Sequence, residues 1–431
     1  MLDTQAIPAR LTARPGESVV EPARTPVRGG TDRRRSRRLP DAAAFALLLS
    51  VIVFFLASSS APTPLYATYQ AEWGFTPITT TVVFGIYAVA VLAALLVAGR
   101  LSDHIGRRPV LLGAVGLQIG AMLVFTTAAG VDELMVARVV QGVATGAAAG
   151  AVGAALLDLS ARHGTLANAV ATPVGTATGA IGAGILVQYL PQPTHLVYDV
   201  LLGVFVLQAV GILLMAETLA AARPGALASL RPRLGAPRAA RVTLLGVVPA
   251  LFASWSLAGL YGALGPSLVR LLAPSAGVLA GGASLFALAG SGAASVYLVR
   301  SMAPRTVLLL AMPALVVGLG ITLVALSAGS LTLFFVGTLV AGLGFGASFT
   351  GGIRLTVPFA AEHERAGLLS VLYVVAYLAM GVPAVVAGYL VVHGGGLLAT
   401  AQGYALVAIG LALVAAVVLL ATGRRAVPAP A

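Results

Sequence analysis

Twelve mostly apolar runs of about 20 residues follow one another along the chain, separated by short polar turns. They fall at about 42–63, 78–98, 109–128, 134–156, 167–187, 197–216, 242–263, 276–299, 306–326, 331–353, 367–391 and 400–421, spans 1 to 12 in chain order. A helix of about 20 such residues crosses the hydrocarbon core of a bilayer. Charged residues make up 9% of the chain, against about 25% in a soluble protein. The expected fold class is therefore an all-α, multi-pass integral membrane protein with twelve transmembrane helices. Cysteine is absent, which excludes disulfides and thiolate chemistry.

A net charge of +12 would suit a nucleic-acid partner, but its distribution points elsewhere. Every basic residue is arginine, and 24 of the 26 lie in the two tails and in the loops after spans 2, 4, 6, 8 and 10. Basic residues mark cytoplasmic loops. Both termini and these five loops are thus expected in the cytoplasm of a bacterial cell, with the lipid bilayer as partner and no nucleic acid. Residues 1–40 read as a disordered tail, and the arginines at 33–38 also suit an anionic-lipid tether. A signal peptide is not expected, since the n-region would be some 40 residues long and many spans follow. Six spans occupy 41–216 and six occupy 241–421. The linker 217–240 carries Arg223, Arg231, Arg233, Arg238 and three prolines, and 422–431 is a short tail.

The loop after span 2, residues 99–109, crowds five ionisable side chains into eleven positions. Its pattern G-x-L-x-D-x-x-G-R-R resembles the loop between the second and third helices of the major facilitator superfamily, with Gly99, Leu101, Asp103, Gly106, Arg107 and Arg108 in register. The resemblance covers about 41–421. It implies two pseudo-symmetric six-helix bundles that work by alternating access. It also implies a cytoplasmic gate, with Asp103 docked on the positive start of span 11 near 366–370 and paired with Arg107, which reaches Asp158. The plainer reading is that these charges only set topology and solvate a tight turn.

The two halves repeat. Leu65-Tyr66 recurs as Leu260-Tyr261, the run from Arg108 as the run from Arg305, and Gly184 as Gly388. Arg300 stands where the first half has Asp103, so the first loop carries an acid that its copy lacks. Span 4 contains Arg138 and Gln141 in R-x-x-Q-G, which resembles the family's fourth-helix motif, where the arginine lines the cavity and influences substrate or proton handling. An arginine in mid-membrane costs roughly 2.5–3.5 kcal/mol, so Arg138 is expected to face a cavity; snorkelling to the headgroups is the alternative. The glycine-rich run 175–184 of span 5 resembles an antiporter motif, with Ala180 and Ala183 departing from it. Close helix packing explains the same glycines.

The cavity candidates are Ser59, Tyr87, Arg138, Gln141, Thr172, Trp255, Tyr261, Tyr373 and Tyr377, each also readable as packing. Few polar groups and several aromatics favour an amphipathic or lipophilic solute. No carboxylate lies deep in a span, so Arg138 and Asp199 are the proton-coupling candidates. The five histidines, at 104, 163, 195, 363 and 393, read as solvated, and no metal or cofactor is expected. The expected function is secondary export of drugs or metabolites in exchange for protons, by a monomer that is not an enzyme. The alternative is an uptake symporter or facilitator for a small organic solute such as an organic acid or sugar.

Overall fold

The computed structural model describes residues 39–222, 224–232 and 234–422. The expected tails fall outside these residues except at 39, 40 and 422, as do Arg223 and Arg233. Among the described residues twelve helices are long and apolar enough to cross a membrane. Spans 1 to 6 are Asp41–Ser60, Pro77–Ala98, Arg107–Thr127, Val131–Leu159, Ala161–Tyr189 and Pro193–Leu214. Spans 7 to 12 are Arg241–Ala263, Val278–Leu298, Pro304–Ala328, Leu331–Thr356, Glu362–His393 and Gly396–Thr422. Most run a few residues beyond the apolar pattern, because polar first and last turns still close their hydrogen bonds at the interface. Span 1 is shorter than its pattern. It stops at Ser60, before Pro62 and Pro64, and a short helix, Tyr66–Trp73, follows. Gly265–Leu272 is its counterpart after span 7.

The chain folds into two six-helix bundles. One apolar core joins Leu48, Phe55, Leu111, Met122, Leu134 and Phe205 of spans 1 to 6. The other joins Val247, Leu257, Leu308, Met312, Phe334 and Leu372 of spans 7 to 12, with Ala180 of span 5 leaning into it. Large apolar side chains such as Leu207, Leu245 and Val407 remain exposed on the outer faces, as lipid-facing positions must in a membrane protein.

The bundles meet along two crossings, span 2 on span 11 and span 5 on span 8. Glycine makes both possible. Gly184 lies against Leu279, and Gly388 against Thr81, with no room for a side chain at the latter. These two contacts are copies of each other, which places Gly184 and Gly388 at equivalent points as the repeat predicts. The repeat also holds at the start of span 3. Arg108 donates from Nε to Ile212 O (3.0 Å) and from Nη2 to Leu213 O, at the end of span 6. Arg305 donates to Leu419 O (2.8 Å), near the end of span 12. Each arginine adds a charged donor to carbonyls in the last turn of a helix, where the Ile212 carbonyl also accepts from Met215 N at 3.2 Å. The pairing of Leu65-Tyr66 with Leu260-Tyr261 does not hold. Tyr66 opens the short helix beyond span 1, whereas Tyr261 lies in the last turn of span 7.

Replacing Arg108 by Met, or Arg305 by Met, should each remove about 1–2 kcal/mol of stability, the scale of a hydrogen bond to a charged group at a half-exposed site. The two losses should add in the double variant, because the caps sit in different bundles. Thermal unfolding in detergent measures this; an unchanged midpoint in both single variants contradicts the capping roles.

Candidate functional site

Two polar centres stand out, one at the end of the molecule that carries the loop after span 2, the other inside the first bundle. The first is built on a broken turn. Span 2 ends at Ala98, a four-residue helix Ser102–Ile105 follows, and Gly106 turns the chain into span 3. Gly106 has φ +103°, which disfavours any side chain, and a Cβ there would sit 2.6 Å from Glu217 Oε2. Having no side chain, Gly106 cannot cap the helix it starts. Glu217, just past span 6, does so instead: it accepts from the amides of Arg107 (2.9 Å) and Arg108 (3.0 Å). A carboxylate on the first amides of a helix is favoured by their unpaired donors and by the helix dipole.

The Arg107 side chain is buried and holds three groups. It donates to Asp103 Oδ1, to Ser102 Oγ (2.8 Å) and to Asp158 Oδ2 (3.2 Å). Thr218 donates to the same Asp158 oxygen at 3.3 Å. Asp158 sits in the last turn of span 4, where a negative charge opposes the helix dipole, and Arg107 offsets that. The expected trio Asp103, Arg107 and Asp158 is therefore assembled. Gly99 packs behind it, where Gly150 of span 4 presses on its backbone. The expected docking of Asp103 on the start of span 11 is not made. Asp103 bonds Arg107 instead, and the first turn of span 11 is served by its own Glu364, which accepts from Ala361 N at 3.2 Å. The whole cluster belongs to the first bundle and the start of the linker. Arg108, which stood with the gating residues in the sequence reading, caps span 6.

The second centre follows from the prolines that end span 1. Pro62 has no amide hydrogen, so the Ser58 carbonyl loses its helical donor. The Thr63 amide turns back to Ser60 O (3.0 Å), which frees the Ser59 carbonyl as well. Span 4 supplies both missing donors: Gln141 Nε2 to Ser58 O at 3.0 Å, and Arg138 Nη1 to Ser59 O at 2.8 Å. Arg138 also donates to Gln141 Oε1 (2.7 Å) and to the Tyr66 hydroxyl. The rings of Tyr87, Tyr66 and Phe125 lie 5.3, 5.6 and 5.8 Å from its guanidinium carbon, within cation–π range. Arg138 is 0% exposed, so it does not snorkel. Its Nε has no acceptor. Every group that it touches is neutral.

Arg138, Gln141, Ser59 and Tyr87 thus come together. Trp255, Tyr373 and Tyr377 form a separate aromatic group in the second bundle, completed by Phe345 and Phe349; Trp255 is 5.0 Å from Phe349 and 5.5 Å from Tyr377 between ring centres. Three candidates stand apart. Tyr261 is turned into the second bundle's core, its hydroxyl 2.9 Å from Thr338 Oγ1. Thr172 is exposed and bonds its own helix at Asn168 O. Asp199 is exposed and accepts from Thr126 at 3.3 Å, away from Arg138. Sequence reasoning missed Glu217, Thr218 and the part of the aromatic cover of Arg138 made by Tyr66 and Phe125. Tyr66, Tyr69 and Trp73 carry a signal for the last, since aromatics three and four apart form one helix face. A cavity of about 260 Å³ lies between spans 7, 11 and 12 and is lined by Phe252, Pro383, Val386 and Tyr404 among others, with no charged side chain.

At the end opposite the Arg107 cluster, the bundles are joined directly. Pro266 leaves the Gly262 carbonyl without its helical donor, and Thr63 Oγ1 of the first bundle fills the place at 3.0 Å. Gln188 Oε1 of span 5 accepts from the Leu279 amide in the first turn of span 8 at 2.9 Å.

Known proteins with related sequences or folds agree with this picture. The chain is 30% identical over 192 residues to the cephamycin export protein CmcT of Amycolatopsis lactamdurans, a match that spans 42% of this chain and 39% of that protein. Its fold is similar to that in the crystal structure of a point mutant of the nucleoside transporter NupG, with a TM-score of 0.66 at 11% identity, over 88% of this chain and 99% of that one. The Major Facilitator Superfamily model matches residues 47–320. With this match and the twelve-helix, two-bundle fold, the chain belongs to the Major Facilitator Superfamily of membrane transporters.

Proposed function

We propose that this transporter exports amphipathic small molecules by alternating access, with protons as the exchanged ion. One observation carries the alternating-access part. The bundles are bonded to each other directly at one end, through Thr63–Gly262 and Gln188–Leu279. At the other end, the Arg107 cluster is confined to the first bundle and the start of the linker. Such a molecule has one mouth latched and the other held ready. The arginine-rich loops favour a cytoplasmic Arg107 end, and in that orientation the latched mouth is the outer one. In the opposite state Asp103 swings from Arg107 alone to the start of span 11 and shuts the inner mouth. The export direction draws on the relative CmcT, an export protein. Both bundles lie in one chain, which suits a monomer.

A second reading, an uncoupled facilitator or uptake carrier, is favoured by one observation. No carboxylate bonds Arg138, and Asp199 sits exposed on Thr126 instead. Proton movement in proteoliposomes separates the two readings. A lumen pH change in the sense of protons moving against the substrate supports exchange; protons moving with the substrate, or substrate flux with no pH change, supports the second reading.

Asp103→Asn should insert normally and lower the transport rate tenfold or more, measured in proteoliposomes against equal amounts of wild type. A wild-type rate removes the gate role. At the other mouth, Thr63→Val and Gln188→Leu each delete one hydrogen bond worth about 1 kcal/mol, which should move the population toward the outward-open state roughly fivefold. The natural absence of cysteine makes maleimide labelling of a single introduced cysteine at Ala180 a clean measure. Unchanged labelling in both variants would count against the latch.

A further inference from the structure

We infer that the substrate is an organic anion, a carboxylate on an aromatic or polycyclic apolar body, gripped at its charged end by Arg138 and at its apolar end by the Trp255 group. The inference rests on the reading of this chain as a transporter with its site between the bundles. It begins with the imbalance around Arg138. The guanidinium is wholly buried, and its hydrogen-bond partners are a backbone carbonyl, an amide oxygen and a phenol. The ion pairs among the described residues both belong to Arg107. A buried cation without a counter-charge has an unmet electrostatic demand, and in a low-dielectric site that demand is large. One of its donors, Nε, is unused.

The second bundle adds a matching imbalance. Trp255 Nε1 is buried among Phe345, Phe349 and Tyr377 and has no acceptor. The unmet groups of both centres are donors. The orphaned acceptors among the described residues, Gln118 Oε1 and Gln208 Oε1, lie on spans 3 and 6, which pack within the first bundle. A ligand that satisfies Arg138 and Trp255 must bring acceptors: a negative charge for the first and the face of an aromatic ring for the indole N–H.

The two centres lie on facing helices. Tyr87, over Arg138, sits on span 2 between Phe84 and Ala88. Phe84 and Ala88 share one apolar cluster with Trp255 and Tyr377, and Ala88 abuts Gly381, one turn from Tyr377 on span 11. A molecule between the bundles thus meets a cation on one side and stacked rings on the other. The rings of Tyr66 and Tyr87 cover Arg138 in this conformation, and a carboxylate gains entry by displacing one of them. It exchanges a cation–π contact for a charge-assisted pair, the stronger of the two when water is excluded.

Three probes of one shape test this: biphenyl-4-carboxylate, its neutral amide and biphenyl-4-methylammonium, titrated calorimetrically against the full chain in nanodiscs. The carboxylate should bind at least tenfold more tightly than either analogue. Arg138→Gln should abolish that preference while leaving the amide within twofold, and Arg138→Lys should restore part of it. Trp255→Leu should weaken carboxylate and amide by the same factor. Equal or tighter binding of the amide or the ammonium by the wild-type protein overturns the proposal, as does saturable binding of none of them. That ranking needs no variant, so a misfolded Arg138→Gln does not shelter the idea. Flux assays separate this from the transporter reading. Selective carboxylate binding with no flux of any probe keeps the anion site and sinks transport, whereas flux of the ammonium alone keeps transport and sinks the anion site.

Discussion

Two backbone carbonyls, those of Ser58 and Ser59, organise the first bundle. They are free because Pro62 cannot donate and the Thr63 amide bends back to Ser60. A carbonyl without a donor inside a membrane costs several kcal/mol, and so does a buried arginine. Joined, each answers the other: Arg138 and Gln141 supply the donors that the broken helix lacks. This explains how a full positive charge lies deep in the fold with no acid beside it. The dipoles offset the desolvation without cancelling the charge, and the remaining positive potential is what the site has to offer a ligand.

The second half uses the same break differently. Pro266 frees the Gly262 carbonyl as Pro62 frees that of Ser58, but the donor comes from the opposite bundle, at Thr63. One backbone defect, repeated, thus yields a buried cationic centre in one half and a bond between halves in the other. A similar division holds at the opposite end. Span 4 closes with Asp158, which accepts from Arg107, whereas span 10 carries Arg354 in its last turn, which donates to Val299 O (3.3 Å) and Met302 O (2.6 Å) of the loop after span 8. A base stands in the second copy where the first has an acid, and it bonds backbone carbonyls rather than a side chain, so the two loops differ in charge.

How much of this was legible follows from the range of each interaction. The twelve spans were readable because hydropathy is a local property, and the trio Asp103, Arg107 and Asp158 because its core lies within one short motif. Glu217 was not, since it reaches amides 109 and 110 positions away and looks in sequence like any loop acid. Tyr261 was misplaced by a repeat register one turn out: the break after span 7 is set by Pro266, and Tyr261 falls before it, inside the core. Phe345 and Phe349 were unreadable as partners of Trp255, because an apolar span gives no sign of which face meets another helix.

The energies involved set how such a molecule can move. Direct hydrogen bonds between the bundles at the Thr63 end are each worth about 1 kcal/mol, and the crossings at Gly184 and Gly388 add packing that is lost only as the helices separate. At the opposite end, the Arg107 cluster is complete without the second bundle, so parting the bundles there breaks none of its bonds. On the proposed alternating-access reading, a few kcal/mol separate the two arrangements, the range in which a minor state stays populated and a ligand can shift the balance. A ligand does so only if it binds one state better than the other. Arg138 belongs to one bundle and Trp255 to the other, so in the proposed cycle their distance changes as the bundles rock, and a molecule held at both ends would feel the change.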